Sequence, residues 1–164
     1  MKRFLFAGLL FLTPLNANTL PENLENFKKL EKELSLPCSE IGEESCTARF
    51  IAMSACTFVF GINQGKPVEE ALDIADGLFL SIMRGNKIKP ISMFNKNDDI
   101  KPEIRNEVKD RVRFCKDATE EAIPKIVLEK TGKEATPEFI EVATRTYGEW
   151  WLRTLEGIKK GREG

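Results

Sequence analysis

Ser45-Cys46-Thr47-Ala48-Arg49-Phe50-Ile51-Ala52-Met53-Ser54-Ala55-Cys56-Thr57-Phe58-Val59-Phe60-Gly61 is the stretch whose reading decides the fold. Arg49 is its only charged residue. As a helix the stretch is apolar on nearly every side, and such a helix is enclosed rather than laid on a surface. We expect it to be the central helix of a small helical domain. Two of the four cysteines of the chain lie in it.

The chain has 164 residues, a length that suits one domain with one core. Hydrophobic residues make up 41% and charged residues 31%, the balance of an ordinary globular protein. There is no histidine. That excludes Ser-His-Asp and Cys-His nucleophilic sites, histidine bases and histidine metal ligands together. The formal net charge is −1, with no basic face, so no nucleic-acid partner is expected.

The N-terminus has the pattern of a signal peptide over residues 1–17. Lys2 and Arg3 precede the apolar run from Phe4 to Leu12, Pro14 breaks it, and Leu15-Asn16-Ala17 offers a cleavage site after Ala17. The run is shorter than the ~20 residues that span a bilayer, so no integral membrane segment is expected after cleavage. Loss of Lys2 and Arg3 would leave 23 basic against 26 acidic side chains, a net charge of −3. The expected location is periplasmic or secreted, with a helical domain over residues 18–164.

Export bears on the cysteines. An even number in an oxidising compartment reads as disulfides. Cys38, Cys46, Cys56 and Cys115 contain no CxxC pair, which argues against zinc and thioredoxin-like chemistry. Cys46 and Cys56 are ten residues apart, a rise of about 15 Å on a helix. Bridged Cα atoms stay within about 7 Å, so these two cannot pair with the helix intact. Two connectivities remain. We favour Cys38–Cys46 with Cys56–Cys115 over Cys38–Cys56 with Cys46–Cys115. Cys38 lies where the chain reverses, close to the first turn of the central helix.

Around that helix the spacing predicts an all-α bundle of about five helices, braced by disulfides. Pro21 opens a first helix with Leu24, Phe27, Leu30 and Leu34 on one face, ended by Pro37. Gly61 to Lys66 reads as a turn. Pro67 opens a helix whose buried stripe is read as Leu72, Ala75, Phe79 and Ile82, widened by Leu78, with Gly85 as C-cap. Residues 86–101 form a long loop in which Ile88, Ile91, Met93 and Phe94 are expected over the core. Pro102 opens a helix with Ile104, Val108, Val112 and Cys115 on one face, and Pro124 is expected to bend or break it near Glu121. Thr136 caps a last helix whose stripe is Ile140, Ala143, Tyr147, Trp150 and Ile158, and the tail 159–164 is expected to fray.

No catalytic residue, metal ligand or cofactor site emerges from these patterns. Asn95, Asn97 and Asp99 have the spacing of the first calcium-loop ligands, but Ile100 stands where glycine is required and Asn106 where glutamate is required. That segment reads as a turn. Glu69, Asp73 and Asp76 read as a solvated helix face. The favoured function is an exported, non-catalytic helical protein that binds another protein or an envelope component. Candidate contact residues are Tyr147, Trp151 and Leu155 on the last helix, with Met93 and Phe94 in the long loop. The alternatives are a periplasmic enzyme using pocket carboxylates such as Asp73, Asp76, Asp98 and Asp99, or a protein similar in architecture to small stress chaperones. No oligomeric state follows.

The preferred connectivity makes a measurable prediction. Closing the loop from Cys56 to Cys115 should contribute about 4 kcal/mol in the chain-entropy model, against about 2.5 kcal/mol for Cys38 to Cys46. Cys115→Ser is therefore expected to lower the melting temperature more than Cys38→Ser, read by circular dichroism without reductant. Equal small effects would contradict the pairing.

Overall fold

A helix with small residues on several sides lets its neighbours approach from all of them, and the central helix is built this way. The computed structural model describes residues 37–162, with side chains to residue 159. The expected signal peptide over 1–17 and the expected first helix, from Pro21 to Leu36, lie outside the described residues. Short α1 (Cys38–Ile41) leads into α2 (Glu43–Asn63) and α3 (Val68–Gly85). A 3-10 turn over Pro90–Met93 precedes α4 (Pro102–Arg111), and a second over Val112–Cys115 joins α4 to α5 (Lys116–Thr131). The last helix is α6 (Pro137–Arg162). The fold is all-α. Among the described residues the only β feature is an isolated antiparallel bridge between Phe94 and Ile100.

α2 is long and apolar enough to cross a membrane by length and composition, yet most of it is buried within the domain. Ala48, Ile51, Ala52, Ala55 and Val59 are fully buried. The helix packs chiefly against α3, α4 and α5. Polar side chains at these contacts bond to backbone carbonyls: Ser54 donates to Ala75 of α3 at 3.0 Å, and Asn63 to Ala118 of α5 at 2.8 Å. The cysteines stand at disulfide distance in the preferred pairing. Cα separations are 5.3 Å for Cys38–Cys46 and 5.6 Å for Cys56–Cys115. The single face of Ile104, Val108, Val112 and Cys115 is buried, which turns Cys115 inward toward Cys56.

Several local expectations are corrected. α2 runs through Gly61 to Asn63, so the turn starts later than expected. A methyl at Gly61 would lie 3.2 Å from Cβ of Ala71, so the glycine serves close packing of α3 rather than a turn. α3 presents Val68, Ala71, Ala75, Phe79 and Met83 to the core, with Leu72, Leu78 and Ile82 only partly buried. The stripe is thus rotated from the one expected. The N-terminus of α3 is capped from far along the chain, by the Glu129 carboxylate accepting from Val68 N–H at 2.9 Å. The α3 stop is Lys87, not Gly85. Lys87 has φ +59°, and the N–H groups of Ile88 and Lys87 donate back to the carbonyls of Met83 and Arg84. These are the two bonds of a Schellman ending.

The loop 86–101 is folded back by its own polar groups. Asn95 Oδ1 accepts from the N–H of Asn97 at 2.8 Å and of Asp99 at 3.2 Å. Its oxygen is thereby spent on a turn. Met93, Ile88 and Ile100 are buried, but Ile91 faces outward and is 58% exposed, against the expectation that it covers the core. Pro124 does not break α5, which continues through it to Thr131. Proline removes one N–H at that point, and the loss is local. The helix interruption falls instead at Val112–Cys115. At α6, Thr136 Oγ1 accepts from Phe139 N–H at 3.2 Å, the cap expected there. The helix extends to Arg162, and the ammonium of Lys159 pairs with Asp98 and lies 4.4 Å from the centre of the Phe94 ring.

α6 crosses α4 at Gly148. A methyl there would meet Val112 Cγ2 at 2.9 Å and Lys109 Cα at 3.1 Å, and backbone cannot give way as a flexible side chain does. Gly148→Ala is expected to destabilise the fold by about 1–3 kcal/mol through overpacking. An unchanged denaturation midpoint would show that the two helices separate freely at that contact.

Candidate functional site

The residues expected to form a contact surface are mostly core. Tyr147, Trp151, Leu155 and Met93 are buried, and Phe94 is half-buried beneath Lys159. The reason is register. Residues 147, 151 and 155 repeat every four along α6 and line the side against α2. Tyr147 enters deepest. Its hydroxyl donates to the Ala55 carbonyl at 2.7 Å, and burial pushes its ionisation well above the ordinary tyrosine range. Trp151 is core, at 1% exposed, whereas Trp150, expected in the buried stripe, is 44% exposed.

Trp150 is the central feature of the outer side of α6. Its ring lies 5.9 Å from that of Phe58 and 5.8 Å, stacked, from that of Tyr147. The indole is thus held by two core rings while nearly half of it meets solvent. Phe139 and Val142 are also exposed, at 52% and 47%. On a helix of 3.6 residues per turn, positions 139, 142 and 150 fall within one sector of about 80°. Together they mark about 16 Å of that sector, with exposed Thr146 between Val142 and Trp150. Neither Phe139 nor Val142 belongs to the stripe expected for this helix, and their shared face with Trp150 shows only once the helix register is fixed.

The adjacent flank of α6 is charged and forms a groove of about 1120 Å³ with α4 and the start of α5. Arg105 of α4 bridges two carboxylates of α6. It reaches Glu149 at 2.5 Å and pairs with Glu156, which also accepts from Ile100 N–H at 3.0 Å. Lys109 meets the second Glu149 oxygen at 3.0 Å, and Arg153 lies 3.6 Å from the first. Burial by itself would raise the Glu149 carboxyl, but Lys109, Arg105 and Arg153 outweigh it and hold it below the usual range. Glu44 is also held low, by its hydrogen bond to Lys101. Asp73 and Asp99 are exposed and lie on separate elements, and Asp98 is engaged by Lys159. Among the described residues no group of three or more metal-ligating side chains converges.

Comparison of the chain with protein-family models, with curated proteins and with solved structures found no match.

Glu149 makes acid stability testable. Its folded-state pKa lies below the ordinary glutamate value, so its contribution is present above that value and is lost as pH falls through the folded pKa. Glu149→Gln is expected to shallow the loss of stability in the window below pH 4.5, measured by urea denaturation across pH. An acid limb as steep as the parent's would contradict this network as its source.

Proposed function

We propose that the chain is an exported, non-catalytic protein that binds another protein of the cell envelope through the outer face of α6. The carrying observation is Trp150, exposed yet packed against Phe58 and Tyr147. An aromatic side chain ordered before binding loses little entropy on association and is the residue type that most often anchors an interface. Phe139 and Val142 extend the apolar area along the same face. Export is supported by the signal-peptide pattern at the N-terminus and by two cysteine pairs at disulfide distance, which suit an oxidising compartment.

At the groove, Glu149 argues against acid/base work. A general acid near neutral pH needs a raised pKa, whereas Glu149 is clamped low by three cations. This supports a binding role over the enzyme alternative.

The test is affinity capture from envelope extract with the mature chain as bait. A stoichiometric partner is expected, with recovery reduced at least tenfold by Trp150→Glu. Val142→Glu gives the same readout at a position remote from Phe58, and melting temperature reports the integrity of both variants. Equal recovery by the parent and both folded variants would place the contact elsewhere. No stoichiometric partner would contradict the binding role.

A further inference from the structure

The groove between α4 and α6 has a chemistry of its own and includes none of Phe139, Val142 and Trp150. Arg105, Lys109, Arg113, Lys116, Arg145 and Arg153 line it, against the carboxylates Glu120, Glu141, Glu149 and Glu156. The chain as a whole carries a formal charge of −1, so this gathering of cations does not follow from its composition. Internal pairing uses the cations unevenly. At one end Arg105, Lys109 and Arg153 converge on Glu149. At the other end Arg145 lies 3.6 Å from Glu141, and, among the described residues, Arg113 meets only the exposed Asp110, at 3.4 Å, and Lys116 has no ion pair.

Thr144 adds an independent observation. The hydroxyls of Thr119, Thr131, Thr146 and Thr154 each donate to the carbonyl four residues back, at 2.8 to 3.0 Å. Thr144 is helical too and lines the groove, yet its buried Oγ1 has no hydrogen-bond partner. A buried hydroxyl left in that state destabilises the fold. In a helix, threonine divides between two side-chain rotamers, so a ligand can be met by rotation about one bond.

We propose that this groove binds a carboxylate-rich peptide segment. Glu149 shows the grip available, since one carboxylate there collects three cations. Arg113 and Lys116 take a side-chain carboxylate of the ligand at the opposite end, and Thr144 donates its hydroxyl to the segment between them. From residue 141 to residue 156 the groove side of α6 rises about 22 Å, the span of six or seven extended residues.

The probe is a fluorescein-labelled octaglutamate peptide, with a Gly-Ser octamer carrying the same label as control, titrated with the full mature chain by anisotropy. Octaglutamate is expected to bind in preference to the control and to weaken as salt rises. The Arg113→Glu, Lys116→Glu double variant is expected to lose at least tenfold in affinity with an unchanged melting temperature. Thr144→Val is expected to lose severalfold in affinity while its melting temperature holds or rises, an opposition that a merely structural role does not produce. No preference over the Gly-Ser control, or unchanged affinity in the charge-reversed chain, would overturn the site. Displacement by inorganic tetraphosphate at far lower concentration than by unlabelled octaglutamate would overturn the ligand class. Unchanged affinity in Thr144→Val would overturn the role given to that hydroxyl.

Discussion

Three successive residues in the middle of α2 hold the bundle together. Ser54 bonds to the α3 backbone, the Ala55 carbonyl accepts the Tyr147 hydroxyl of α6, and Cys56 stands at disulfide distance from Cys115, where α4 gives way to α5. Neighbours on a helix point about 100° apart, so consecutive side chains address different elements. Because Ala48, Ala52 and Ala55 are small and fully buried, the surrounding backbones come close enough for these contacts to form. Cys56–Cys115 has the longest reach in sequence of the two cysteine pairs, 59 residues, and constrains the unfolded chain most.

That arrangement explains which parts of the fold were legible in the sequence. Apolarity all round α2 meant burial because a helix with no polar side has nowhere else to lie. The single face ending at Cys115 meant an inward sulfur for the same reason. Thr136 acted as expected because capping is local, decided by a hydroxyl and an N–H three residues on. The misread features depend on distant groups. Trp150 and Trp151 differ by one residue, and which of them is covered depends on how α6 lies against α2. The need for glycine at 148 comes from Lys109 and Val112, which lie far off in sequence and close in space. Pro124 has a real local cost, which is why a bend or a break is expected there, but tertiary packing of α5 outweighs one missing bond.

The two surfaces of α6 were hidden for different reasons. The exposed apolar residues needed the register of the helix. The groove needed pairings across large sequence separations: Arg105 with Glu149 and Glu156 spans 44 and 51 residues. The four-residue spacing of Glu149 and Arg153 reads as a local pair, yet the two lie 3.6 Å apart. The closer partners of Glu149 come from α4. One helix thus carries a core side, an exposed apolar sector and an ion-paired flank, which suits a protein that acts by contact rather than by chemistry.

The sulfur pairing tests this account most directly. The chain would be purified without reductant, its thiols blocked with an alkylating reagent, then digested and mapped by mass spectrometry. Two cross-linked peptide pairs are predicted, Cys38 with Cys46 and Cys56 with Cys115, and no alkylated cysteine. A Cys46–Cys115 link, or four alkylated thiols, would contradict the central arrangement around α2.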